Sequence, residues 1–327
     1  MPCMTTPSAP PATGVRTPWE ALPHPVRTAV TDVLGGGPVV RAETQPGGFS
    51  PGVAARLRTA DGRRAFVKAV SADANPDSPA MHRAEARNSA ALPPGVPAPR
   101  LLGTYDDGTW VALVLAEVDG RQPHVPWREP ELRRVLDAVE RLGRTLTPSP
   151  VAAPPVAEAL GDAFGGWRRL ADRPEHESRG RLDDRTLAEL PRLARLAADG
   201  AEAAAGDTLA HADLRADNML LTADGEVVFV DWPHAVRAAP WFDLLTLLPS
   251  VGAQGGPDPE EVFRAHPLGR EADPAGATAT LAALTGFFIE QSLLPAPPGL
   301  PTLRPFQRAQ GEAGLAWLRR RLAPGPA

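Results

Sequence analysis

The stretch LAHADLRADNML, residues 209–220, sets one histidine, two aspartates, an arginine and an asparagine between apolar ends. Polar groups this dense are costly to bury, and an ordinary surface loop can carry them without any chemistry. Their spacing points further. His211, Asp213 and Asn218 follow the pattern H-x-D-x-x-x-x-N, and Asp231 closes the later apolar run VVFV. Phosphoryl transfer needs such a set. One carboxylate takes the proton of an attacking hydroxyl, while an asparagine and a second carboxylate hold magnesium against the phosphates.

For these groups to meet, the chain must return on itself. The segment MLLTADGEVVFVDW predicts a two-stranded hairpin turning at 224–225, which brings Asp231 back toward the 211–218 loop. Upstream, a helix is expected to end at the glycines 35–37. Three strands follow, PVVRAETQ, VAARLRT and RRAFVKAV, joined by the turns PGGFSPG and ADG. A helix is predicted over 80–92, then strands over 100–105 and 109–117 around a turn at 106–108. From Val118 the pattern changes. EVDGRQPHVPWREP reads as a connector, PELRRVLDAVERLGRTL as a helix, and 148–156 as a loop. Helices are expected over 183–204, 241–248, 259–265, 275–293 and 305–322. The class is therefore α+β. A flexible tail over 1–18 precedes a sheet-rich nucleotide-binding lobe over 19–117 and a mostly helical lobe over 118–327.

Composition narrows the setting. The 327 residues carry 43% hydrophobic side chains and can bury a large core. A net charge of −5 argues against a nucleic-acid partner. The most apolar central run, WVALVLA at 110–116, is far too short to span a membrane. The single cysteine, Cys3, excludes an intrachain disulfide and a thiolate metal cluster. The N-terminus lacks the basic start and apolar core of a signal peptide, so a cytoplasmic location is expected.

The spacing of Asp213 and Asn218 is that of the kinase catalytic loop. HADLRADNMLLTADGEVVFVDW, followed by APWFDLLTLLPS, resembles the aminoglycoside phosphotransferase and choline kinase superfamily, small-molecule kinases with a protein-kinase-like fold. The similarity is dense over 205–250 and looser over 40–120. It implies a bilobal protein-kinase-like fold, ATP or another nucleoside triphosphate with Mg2+ as cofactors, and a small-molecule hydroxyl as acceptor. Asp213 matches the catalytic base, and Asn218 and Asp231 match the magnesium ligands. Asp243 would brace the catalytic loop, and His211 would pack and hydrogen-bond. The family usually has Gly where this chain has Ala212.

The first half supplies the remaining parts of such a site. A kinase needs a glycine-bearing turn over the phosphates and a strand lysine to reach them. QPGGFSPGV places Gly47, Gly48, Ser50 and Gly52 between two strands. Lys68, in AFVK, is the sole lysine of the chain and resembles the lysine of V-A-I-K. Lysine is a compact point charge suited to phosphate oxygens. Glu85, on the predicted helix, is placed to orient Lys68. Glu117 opens a hinge through Gly120 whose backbone would contact adenine.

Each feature alone has an ordinary reading. Glycine turns between strands are usually just turns. Glu85 alone reads as a solvated helix residue, Asp231 as a strand-end cap, His234 as structural, and Arg215 and Asp217 as exposed loop residues, with a place near substrate or phosphate as the other reading of Arg215. It is their order in one chain that points to an ATP-dependent phosphotransferase. For the acceptor, Asp258, Glu260, Glu261 and Glu290 are available to meet a polycation. Trp127, Trp167, Trp241 and Trp317 are available to stack on a sugar or to pack a core. Few aromatics disfavour a choline cage; a macrolide, sugar, nucleoside or amino alcohol stays open. A protein kinase is disfavoured because 232–242 leaves no room for an activation segment. A nucleotide-binding regulator without turnover is the rival from another class.

Overall fold

A computed structural model describes residues 9–49, 52–173 and 181–323. Proline at the first helical turn and glycines past the last one delimit the opening helix. α1 (His24–Val33) carries Pro25 near its start, and Gly35 and Gly36 follow with φ of 91° and 80°. Alternating apolar residues then build β1 (Val39–Thr44), β2 (Val53–Thr59) and β3 (Arg64–Ser71). After α2 (Ser78–Ala91) come β4 (Leu101–Asp106) and β5 (Trp110–Ala116). The five strands form one antiparallel sheet in the order β1-β2-β3-β5-β4. α1 packs on β4 and β5, and α2 packs on β3, β4 and β5. With helices on it, β5 buries five successive residues, Val111 to Leu115, which explains its unbroken apolar run.

Beyond β5 the chain enters a helical lobe. β6 (Gly120–Arg121) leads into α3 (Glu129–Thr145), α4 (Val156–Leu160) and α5 (Gly166–Asp172). Then come α6 (Asp184–Ala197), α7 (Gly200–Ala203), β7 (Thr208–Ala210), β8 (Met219–Thr222), β9 (Val227–Phe229) and β10 (Val236–Ala238). α8 (Phe242–Ala253), α9 (Pro259–Ala265), α10 (Pro267–Glu271), α11 (Pro274–Ser292) and α12 (Leu303–Leu322) complete it. β6 extends the predicted β8–β9 hairpin, and β7 pairs with β10. The core of this lobe centres on Trp167, Phe229, Trp232, Phe242 and Leu281, all essentially inaccessible. No helix among the described residues is long and apolar enough to cross a membrane.

The expected α+β division into a sheet lobe and a helical lobe holds. The short strands β6, β7 and β10 and the short helix α10 were not expected, and three further details differ. The helix expected over 183–204 is two, because the chain turns at Ala198 and Asp199. α4 and α5, only five and seven residues long, are too short to show a period. The third concerns the tail. Residues 9–18, expected to be flexible, lie against both lobes. Ala9 is buried beside Ala253 and Phe306, and Val15 N–H donates to Gly299 O at 3.0 Å. An extended Pro- and Thr-rich segment is held by backbone partners more than 200 positions away, which no local pattern shows.

Candidate active site

Strand alternation decides where Lys68 points. Along β2 and β3, Ala55, Leu57, Ala65, Val67 and Ala69 join the core with α1. Ala54, Arg56, Phe66 and Lys68 therefore turn to the opposite face. That face covers a cavity of about 400 Å³ between the lobes. Val53, Phe66 and Leu115 line it from the sheet, and Leu220 and Val230 from the β8–β9 hairpin. Flat apolar walls of this kind suit a planar base.

At one end of the cavity the charges converge. Lys68 Nζ donates to Glu85 Oε1 and Oε2 at 2.7 and 2.9 Å and to Asp231 Oδ1 at 3.0 Å. Burial opposes the Lys68 charge, but Asp231 and Glu85 outweigh it and hold the ammonium above its usual range. Asp231 is held well below the usual carboxylate range, because the nearby Lys68 overcomes the penalty of burial. Glu85 is pushed up by burial, with Lys68 pulling against it. Asp231 sits at φ 71°, a left-handed backbone for a non-glycine residue.

The catalytic-loop pattern folds into a network of its own. Asn218 Nδ2 donates to Asp213 O at 2.8 Å and to Asp213 Oδ2 at 3.0 Å. Arg215 bonds Asp213 Oδ1 and clamps Asp217 through two N–H groups at 3.1 and 3.0 Å. Its guanidinium also lies 5.7 Å from the ring centres of Phe49 and Phe306. Arg215 and Asp217 are thus largely buried pair members, not exposed loop residues; the acid–base–acid alternation Asp213, Arg215, Asp217 was the available signal. His211 is a satisfied core histidine, as expected. Its Nε2 donates to Val230 O at 2.9 Å, its Nδ1 accepts from Asp213 N–H at 3.3 Å, and its ring packs 4.6 Å from Trp232. Burial lowers its pKa, which keeps the ring neutral.

Asp243 accepts the backbone N–H groups of His211 and Ala212, both at 2.8 Å. The brace expected of it is present, and burial raises its pKa. Ala212 adopts φ 64°, so the methyl that replaces the family's glycine stands on a left-handed backbone.

The structure brings Gly47, Gly48, Lys68, Glu85, Glu117, Asn218 and Asp231 to one cavity, with Asp213 bonded to Asn218 at its edge. Gly52 closes the turn at φ 101°, and a Cβ there would stand 2.4 Å from Ala69 O. Ser50 lies outside the described residues. Beyond the hinge role expected of its backbone, the Glu117 carboxylate ties β2 and β3 together. It accepts from Arg56 at 3.1 Å and from Arg64 at 2.8 and 3.0 Å. Sequence reasoning missed Arg16, His82 and Gln122 as cavity residues.

The acceptor candidates resolve differently. Asp258 caps α9 and meets Arg320, and Glu261 also pairs with Arg320. Glu260 holds Trp317 Nε1 and Arg321, and Glu290 holds Arg169 and Arg173. All four carboxylates are engaged by arginine. Trp127, Trp167, Trp241 and Trp317 are buried core residues, and His234 is exposed.

Two oxygens bear on a metal. Asn218 Oδ1 and Asp231 Oδ2 accept no hydrogen bond among the described residues, while the other polar side-chain atom of each is held in place. Hard oxygen donors of this kind fit magnesium, which keeps several waters and phosphate oxygens in its shell.

Residues 46–279 match the model of the phosphotransferase enzyme family. The structure is similar to a thermostable mutant of aminoglycoside phosphotransferase APH(4)-Ia in ternary complex with ADP and hygromycin B. That match has 15% identity and a TM-score of 0.58, and covers 90% of this chain and 98% of that one. It is also similar to the choline kinase LicA from Streptococcus pneumoniae, at 13% identity and a TM-score of 0.58 over 88% and 96% of the two chains. An aminoglycoside-3'-phosphotransferase of type VIII matches at 23% identity and a TM-score of 0.53, over 81% and 100%. Likeness at these identities establishes the bilobal kinase-like fold. No curated protein matches the chain.

Proposed function

The chain belongs to the phosphotransferase enzyme family, and from that premise we propose that it is an ATP- and Mg2+-dependent kinase of a small-molecule hydroxyl, working in the cytoplasm. The observation that carries this reading is the meeting of Lys68 with Glu85 and Asp231 beside Asp213 and Asn218. Residues 19–117 act as the nucleotide lobe and 118–327 as the catalytic and acceptor lobe.

In this reading the adenine ring lies among Val53, Phe66, Leu115, Leu220 and Val230, against the 117–120 hinge. Lys68, oriented by Glu85, meets phosphate oxygens under the 47–52 turn. Asn218 Oδ1 and Asp231 Oδ2 would hold magnesium, which supplies charge neutralisation at the phosphates. Asp213 orients the acceptor hydroxyl and accepts its proton late, since the transition state is loose. Each of its carboxylate oxygens keeps a lone pair beyond the bonds to Arg215 and Asn218.

The test is ATP consumption with magnesium across aminoglycosides, macrolides, nucleosides, sugars and amino alcohols. Turnover on one class is expected. Asp213→Ala should lower kcat by about 10²- to 10⁴-fold and leave nucleotide binding in place. Full activity in that variant removes the assigned base. Tight nucleotide binding with no turnover on any acceptor favours the regulator.

A further inference from the structure

We propose that Arg16 is a phosphate-binding residue, delivered to the cleft by an N-terminal strap over residues 9–17 that completes the nucleotide site. This inference rests on the phosphotransfer reading and names a further group of that same site.

The strap is anchored on both sides of the cleft. On the helical lobe, Ala9 N–H donates to Ala253 O at 3.0 Å and Val15 N–H to Gly299 O at 3.0 Å. Thr302 Oγ1 donates to Thr13 O at 3.2 Å. On the sheet lobe, the strap holds the glycine turn itself. Thr13 bridges to Gly47, and Arg16 to Gly52. Thr17 N–H donates to Gly52 O at 3.0 Å, and Gly48 N–H to Ala12 O at 3.1 Å.

That last bond has a chemical cost. The Gly48 N–H, a donor that a glycine turn would offer to phosphate, is spent on the strap. The strap brings a cation in exchange. Arg16 donates to Gly47 O, and its guanidinium lies 3.0 Å from where a Gly48 Cβ would stand. Arg16 lines the cavity with Lys68, Asn218 and Asp231. Lys68 already shares its charge with two carboxylates, so one lysine alone leaves a triphosphate poorly balanced. Guanidinium suits phosphate because its planar fork meets two oxygens at once. Burial lowers the Arg16 pKa and the nearby Asp231 raises it, and an arginine keeps its charge at neutral pH.

The experiment measures calorimetric affinities for ATP and AMP with the full chain, Arg16→Gln and Arg16→Lys, each checked by thermal melt. Arg16→Gln is expected to weaken ATP binding roughly tenfold to hundredfold, the loss that a charge-assisted hydrogen bond carries. AMP, which lacks the outer phosphates, should bind within about twofold of the parent, and Arg16→Lys should recover most of the ATP affinity. ATP and AMP weakening in parallel would show a purely structural strap and overturn the proposal. So would unchanged ATP affinity in Arg16→Gln. If the unaltered protein binds neither nucleotide, the phosphotransfer reading itself fails, a result distinct from both.

Discussion

Lys68 and Asp231 stand 163 residues apart in sequence, yet Lys68 Nζ lies 3.0 Å from Asp231 Oδ1. One sits on β3 of the sheet lobe and the other just beyond β9 of the helical lobe. The contact therefore spans the cleft and depends on how the lobes close. Lys68→Met should lower kcat by about a hundredfold, the scale of one lost donor in a preorganised site. Glu85→Gln should cost less, since Lys68 keeps its charge and its bond to Asp231. Steady-state kcat and KM for ATP, on whichever acceptor the panel identifies, check both, and equal losses in the two variants would contradict this order.

Ala212 carries a methyl on a left-handed backbone. An L-residue there costs about 1–2 kcal/mol, while glycine adds about 0.5–1 kcal/mol of unfolded-state entropy. Ala212→Gly should therefore stabilise the protein by up to about 1 kcal/mol. Urea unfolding measures it, and a lower midpoint for the variant would show that the methyl contributes more in packing than it costs in strain.

Asp243 takes both N–H groups that shape the catalytic loop. Asp243→Ala orphans two backbone donors in a site where the carboxylate is only 7% exposed. At about 1–3 kcal/mol for each unsatisfied donor, a loss of roughly 2–6 kcal/mol is expected in denaturant unfolding. Asp243→Asn keeps one acceptor and should lose less.

His82 is buried between α2 and the sheet, with Nδ1 3.0 Å from Ser78 O. Burial, followed by the charge of Lys68, holds its pKa down at about 4, from an ordinary 6.5. Between these values the unfolded chain takes up a proton that the folded chain refuses. Stability present above pH 6.5 is therefore lost as pH falls toward 4, on the order of 3 kcal/mol from this group. His211 and His266, lowered by burial as well, act in the same direction. Unfolding midpoints at pH 7.5 and 4.5 should show the drop, and His82→Gln should show a smaller one.

Much of the fold was legible because its signals are local. The β2 and β3 alternation, the turns at Gly62 and Gly225, and the amphipathic period of α3 each lie within a few residues of what they control. The same holds for H-x-D-x-x-x-x-N, whose spacing alone lets Asn218 reach back to Asp213. α4 and α5 were not legible, because helices of five and seven residues make no more than two turns and repeat no apolar spacing. The ordering of residues 9–17 was not legible either, since its partners at 253, 299 and 302 come from the far end of the chain.

By itself the sequence determined the order of a sheet lobe and a helical lobe, the strand that carries Lys68, the β8–β9 hairpin, and the residues whose types suit phosphoryl transfer. These follow from backbone periodicity and side-chain chemistry, both of which act over short stretches. Only the tertiary structure decided which charges meet which partners. Arg215 turned inward to clamp Asp217, four candidate acceptor carboxylates were taken up by arginines, and Arg16 was carried into the cleft by a supposed tail. Charge pairing is settled by distance in space. Residues far apart in the chain compete for the same partner, and the outcome exists only once the lobes have packed.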